Sequence, residues 1–215
     1  MDNKKIYNLA ILQRVIPSYR QFLFEGLSNI STFNLKVFYG DDIPNTKVKS
    51  SLSKENIFWV VKLKTTIINI FKRHLIIHHN LFPSLFKFQP NVILTEGESN
   101  IASYIQALIY KFLFRKTKII HWSLGGLPNN KKSIFVFRKI KSFFLRFFDS
   151  YIVYSSFGKN QLVNNYKINP NKIFVALNIS NIDKIISYKE TLKKNKINDL
   201  KTFDKSKFTL ITSGY

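Results

Sequence analysis

The chain has 215 residues, 45% of them hydrophobic, with seven glycines, six prolines and no cysteine. That length suits one α/β domain with a sizeable core, and the few glycines and prolines speak against broad disorder. Lysine and arginine number 34 against 12 acids, a formal charge of +22; such a surface draws polyanions, although a composition biased to Lys, Asn, Ile and Phe accounts for part of it. The missing cysteines exclude disulfides, thiol catalysis and Cys-ligated metals. No run approaches the roughly 20 apolar residues that span a bilayer. Ile6–Leu12 lacks the small-residue cleavage site of a signal peptide and is expected to be a first strand of a cytoplasmic protein.

The elements alternate along the chain. Ile6–Arg14 is predicted as a buried strand, and Pro17 suits the first turn of a helix running to about Asn29. Leu35–Tyr39 and Ile57–Leu63 follow as strands, with a polar loop over 41–56 between them. Residues 66–88 are predicted helical, broken near Pro83. Val92–Thr95 is a short buried strand, Glu96-Gly97-Glu98 a turn and Asn100–Phe114 a helix. Lys118–Trp122 is the next strand, Ser133–Phe148 a helix and Tyr151–Tyr154 a strand. Ser156–Asn165 is a helix capped by Ser155 or Ser156, and Ile173–Ala176 a strand ending at Asn178. This βαβα order predicts an α/β fold: a Rossmann-like parallel sheet with helices on both faces. Ligands of such sheets bind beyond the carboxyl ends of the strands. Residues 1–186 are expected to form that domain and 187–207 a Lys-rich helix and linker. Phe208–Ile211, closed by Ser213-Gly214-Tyr215, is expected to be a strand that opens a second domain.

Several stretches resemble family-4 glycosyltransferases. Pro17-Ser-Tyr-Arg20 resembles the loop after the first strand in a subset of that family, although Ile16-Pro17 stands where a glycine pair is commoner. Val92–Gly97 and Lys118–Gly125 resemble its central strands. Asp149–Lys159 resembles its aspartate, strand, Tyr-Ser and helix unit, and Asn169–Asn178 with Asp183 continues the likeness. The resemblance covers residues 6–183. It implies a GT-B fold of two Rossmann-like domains and a retaining, metal-independent sugar transferase, with a nucleotide-sugar as co-substrate and no other cofactor. It also implies that this half binds the acceptor, a glycan or lipid-linked sugar in cell-surface polysaccharide synthesis. The donor-gripping residues of such an enzyme would lie beyond Tyr215, which would leave this chain inactive alone.

Within that frame the candidate residues sit at strand ends. His121 closes the strand from Lys118 and is the candidate catalytic residue, because imidazole near neutral pH can hydrogen-bond a sugar hydroxyl or phosphate. Alternation puts Trp122 on the opposite face, so only one of the two can face a cleft. Tyr19 and Arg20 are candidates for acceptor binding, Arg20 through a bidentate grip on phosphate or carboxylate. Glu96, Gly97, Gly125, Gly126, Tyr154 and Asn178 belong to the same layer, the glycines permitting close backbone approach. His74, His78 and His79 form a cluster without a carboxylate, better suited to a surface or an interface than to a metal. No Gly-x-Gly-x-x-Gly or Walker loop is present.

The helix Lys131–Phe148 carries many bases and no acid before Asp149. Its wheel places Val136, Ile140, Phe143, Phe144, Phe147 and Phe148 on a core face. Phe135 and Leu145 fall among Lys131, Lys132, Arg138, Lys139 and Arg146, the pattern of a helix lying on an anionic membrane. The expected location is therefore the cytoplasm, peripheral on the inner face of the plasma membrane. A basic nucleic-acid-binding module is the alternative class, but the bases are dispersed and no RNA or DNA motif is present. A non-catalytic transferase remnant is the other.

Overall fold

A computed structural model describes residues 5–42, 49–50, 57–70, 73–96, 101–125, 142–177, 186–187 and 190–191. The chain divides into two units, residues 1–178 and 179–215. In the second, the described positions 186–187 and 190–191 are helical. The expected strand 208–215 lies outside the described residues.

The first unit is built on a seven-stranded sheet. Its strands are β1 (Tyr7–Leu12), β2 (Phe33–Tyr39), β3 (Val60–Lys62), β6 (Val92–Glu96), β7 (Lys118–Ser123), β8 (Ser150–Val153) and β9 (Ile173–Val175), in the spatial order β3-β2-β1-β6-β7-β8-β9. Every pairing in it is parallel. The connections α1 (Ser18–Ser28), α2 (Leu81–Phe88), α3 (Ile101–Leu113) and α4 (Ser156–Tyr166) are helical. This is the predicted Rossmann-like α/β fold.

The sequence explains this order. Leu9, Ala10, Ile11 and Leu12 are all buried, as a central parallel strand covered on both faces requires. Their alternation feeds two cores. Leu9, Ile11, Val37 and Leu94 pack with Phe24 of α1 and with Trp59. Ala10, Leu12, Ile93 and Ile119 pack with α2, α3 and α4 on the other face. An asparagine ladder sets the register at the amino ends: the Asn8 amide donates to Asn91 Oδ1 at 2.8 Å, and Asn34 Nδ2 to Asn8 Oδ1 at 2.9 Å. Asp149 ties β8 to β7 by accepting from Ile119 N at 2.8 Å and Lys111 Nζ at 2.7 Å. Burial works to raise the Asp149 pKa, but these bonds and the nearby lysines hold it below the ordinary value. Ser155 caps α4 by accepting from Gly158 N at 3.1 Å.

Two expectations need correction. Residues 66–88 are not one helix: β4 (Thr65–Ile70) and β5 (Arg73–His78) form an antiparallel hairpin, and α2 follows. The segment is crowded with β-branched Thr65, Thr66, Ile67, Ile68, Ile70, Ile76 and Ile77, which favour strands. The second correction concerns the end of the basic helix. Leu145 is buried in the core, whereas Phe143 is exposed. Arg146, Phe147 and Phe148 each bond back three residues, to Phe143, Phe144 and Leu145. That tighter winding stacks Leu145 with Phe148 and turns Phe143 outward, contrary to a wheel drawn at 100° per residue. Arg146 is exposed; Lys131, Lys132, Phe135, Arg138 and Lys139 lie outside the described residues.

Candidate functional site

From β1 the chain goes out to β2 and β3 on one side, then returns to β6 on the other. Strand order therefore reverses between β1 and β6, and in open α/β sheets the crevice at such a point, beyond the carboxyl ends, takes the ligand. The residues leaving β1 there are Gln13 and Arg14; the residue ending β6 is Glu96.

Arg20, in the first turn of α1, reaches into this position and is only 7% exposed. Its Nη1 donates to Gln13 Oε1 at 2.5 Å and to Glu96 Oε1 at 2.6 Å, and its Nη2 donates to Tyr154 Oη at 2.9 Å. The guanidinium lies over the Trp122 ring at 4.7 Å from its centroid and beside the Tyr19 ring at 5.6 Å. Glu96 Oε2 accepts the Arg14 backbone amide at 2.8 Å. One helix thus gathers the ends of β1, β6, β7 and β8 around a single cation.

The electrostatics follow from these partners. Burial opposes the charge on Arg20, but Glu96, Tyr154 and Tyr19 outweigh it and raise its pKa. Burial raises the Tyr154 pKa, against the pull of Arg20, so its hydroxyl stays neutral and is free to donate. Both Glu96 oxygens are engaged, one by Arg20 and one by the Arg14 amide, so this carboxylate fixes the end of β1 and the guanidinium in one place. Gln13 Nε2, Arg14 Nε and Arg20 Nε are buried donors with no acceptor among the described residues. Buried N–H groups are nearly always satisfied, so this collection suits an oxygen-rich ligand. Beside it, a cleft lined by Tyr39, Gly40, Asp42, Ser50 and Lys62 opens at the carboxyl ends of β2 and β3.

Of the candidates from the sequence, the structure brings together Tyr19, Arg20, Glu96 and Tyr154. It adds Gln13 and Trp122. Gln13 is signalled only as the first polar residue after a buried run, and Trp122 as the alternative to its neighbour His121. Gly97, Gly126 and Asn178 lie outside the described residues. Gly125 is at φ +88°, and a Cβ there would fall 2.4 Å from the Gly158 carbonyl oxygen. It is glycine because the β7 loop presses on α4, and nothing in that contact requires a ligand.

His121 must be corrected. It is 1% exposed and lies on the face away from Arg20, with ring centroids of Phe148 at 5.0 Å, Tyr104 at 5.7 Å and Tyr151 at 6.1 Å. Alternation along β7 gives the cleft side to Trp122 and turns His121 into the α3 core. His78 is also interior: one ring nitrogen, Nδ1, meets Ser103 Oγ at 3.0 Å, and burial lowers its pKa to about 4. Among the described residues no three His, Cys, Asp or Glu side chains cluster to hold a metal.

No family model and no curated protein matches the chain. Solved structures do share its fold. A putative UDP-N-acetylglucosamine 2-epimerase from Listeria monocytogenes matches at 14% identity and a TM-score of 0.51, over 79% of this chain and 45% of that one. The UDP-N-acetylglucosamine 2-epimerase from Rickettsia bellii matches at 13% identity and a TM-score of 0.51, over 92% of this chain and 49% of that one. A glycosyltransferase from Rickettsia africae superposes less well, with a TM-score of 0.48 at 14% identity over 89% and 50%. The chain spans about half the length of the structures it matches.

Proposed function

We propose that this domain belongs to an enzyme handling nucleotide-sugars, a family-4-like glycosyltransferase, and that it seats the acceptor at the carboxyl ends of β1 and β6. The observation that carries the proposal is the Arg20 cluster at the point where strand order reverses. Buried N–H donors of Gln13, Arg14 and Arg20, together with the Tyr154 hydroxyl, match the hydroxyl and phosphate oxygens of a sugar acceptor. On this reading the bond from the anomeric carbon to the donor diphosphate breaks. A bond to the acceptor oxygen forms, the acceptor hydroxyl passes its proton to the departing phosphate oxygen, and the nucleoside diphosphate leaves. Arg20 and its partners hold the acceptor for that step, and orientation of this kind lowers the barrier substantially. The transfer would retain anomeric configuration and use no metal.

Titration of the chain with phosphorylated mono- and oligosaccharides, followed by NMR, tests the acceptor site. Resonances of Arg20, Tyr154 and Trp122 are expected to shift, and Arg20→Lys to weaken binding at least about tenfold. Uniform indifference of those resonances would refute the site.

Epimerisation of UDP-N-acetylglucosamine is the second reading, favoured by the two structures that share the fold under that name. Product analysis with UDP-N-acetylglucosamine, in the presence and absence of an acceptor, separates the two. Transfer releases UDP only when an acceptor is present, whereas epimerisation yields a new UDP-sugar without one.

A further inference from the structure

An ordinary surface helix shows water a polar, charged face. The outer face of α3 shows Ile101, Ile105, Ile109, Phe112 and Leu113, each 40–65% exposed. Four-residue spacing keeps them on one stripe, about 20 Å long at 1.5 Å per residue. The single charge in α3, Lys111, is occupied by Asp149 at 2.7 Å. The helix is thus apolar on both its buried and its outward sides, a pattern that belongs to a covered helix.

The stripe continues at its carboxyl-terminal end. Phe114 meets exposed Phe86 of α2 edge-on at 5.9 Å, and Phe112 meets Phe147 at 5.5 Å. Next to these rings in the chain come Lys87 after Phe86, Arg115 and Lys116 after Phe114, and Arg146 before Phe147, all exposed and none in an ion pair among the described residues. The acid at this end of the sheet, Asp149, is already held by Lys111 and Lys118. Among the described residues no helix is long and apolar enough to cross a membrane.

We propose that the outer face of α3, with the aromatic rings and bases at its end, docks on an anionic lipid surface. Charge selects the occupant: four exposed cations with no ion pair among the described residues lie next in the chain to the exposed rings, on a chain of +22, and anionic headgroups complement them while the apolar side chains enter the interface. The docking surface is therefore α3 itself, which the sequence pattern of 131–148 does not indicate. The proposal stands independently of the acceptor site, because its bases lie at the opposite end of the sheet from Arg20.

Flotation of the whole chain with vesicles tests it. Vesicles of phosphatidylcholine with 30% phosphatidylglycerol are expected to bind it at least about tenfold more tightly than phosphatidylcholine alone, and salt to weaken the binding. Ile109→Gln with Phe112→Gln is expected to lower binding at least about tenfold with only a small fall in melting temperature, because Ile109 is about half exposed and Phe112 gives up a single ring contact, to Phe147. Arg115→Ser and Lys116→Ser should each lower it about fivefold. Equal binding to both vesicle types would overturn the proposal, as would wild-type binding by the Gln variant, which would reduce the attraction to bulk charge. Self-association that the Gln variant abolishes, without any vesicle binding, would assign the face to a second copy and overturn it equally.

Discussion

Replacing Arg20 by Ala removes one cation and leaves three acceptors behind it. Glu96 is the costly one, because its side chain is only 18% exposed. Breaking a buried pair by removing one partner typically costs about 3–5 kcal/mol. Glu96 keeps its bond from the Arg14 amide and some solvent, so the low end, about 3 kcal/mol, is expected. For a domain of this size that lowers the melting temperature by roughly 6–12 °C. Glu96→Gln, which leaves Arg20 a neutral acceptor, should cost about 2 kcal/mol. The double variant strands no charge and should cost about 3 rather than about 5 kcal/mol, a coupling near 2 kcal/mol. Urea denaturation of the four proteins measures it, and the coupling should survive in 1 M salt because the pair is shielded from solvent. Additive single effects, or an Arg20→Ala cost under about 1 kcal/mol, would mean that the cluster is not the clamp that its distances describe.

Three further outcomes are expected. His78 is neutral in the fold with a pKa of about 4, while the unfolded chain takes up the proton near 6.5. Its contribution is thus complete above pH 6.5 and is lost as pH falls toward 4, by about 2 kcal/mol at pH 5 and about 3 kcal/mol in all; denaturation midpoints of wild type and His78→Gln between pH 7 and 4 should converge, and parallel curves would count against it. His121→Ala should cost roughly 3 kcal/mol in stability as a core truncation; a cost near zero, checked calorimetrically, would return the imidazole to the cleft. Gly125→Ala should cost at least about 1–3 kcal/mol from its positive φ alone, with the contact to Gly158 in addition, and a stability within error of wild type would show that the β7 loop readily shifts.

Much of this was legible because parallel strands announce themselves. The buried runs of β1, β6, β7 and β8 are short, apolar and bounded by turn residues, so their ends, and with them Arg20, Glu96 and Tyr154, could be found by position. The hairpin of residues 65–78 could not, because its isoleucines satisfy both a strand and one face of a helix. Adjacent His121 and Trp122 posed a question of phase. Alternation separates them, but only the docking of α1 decides which face is the cleft side. Leu145 and Phe143 exchanged places because the chain tightens to three-residue turns before Asp149, where a wheel still counts in steps of 100°. The stripe on α3 was visible as apolar spacing, yet a sequence assigns such residues to the core by default, and only the observed exposure of Ile105, Ile109 and Phe112 reveals the surplus.

The central place of β1 has a consequence for synthesis. Its neighbour on one side, β2, follows within about 30 residues, but Asn8 must wait for Asn91, 83 residues later, before its other edge is paired. At about 5–20 residues per second on the ribosome, that edge stays open for roughly 4–17 s. Nothing in Tyr7–Leu12 carries a charge to deter pairing with another nascent chain. Slow synonymous codons across residues 40–90 would lengthen that exposure and fast ones shorten it, so the yield of folded protein is expected to follow a stretch of gene that encodes no part of β1.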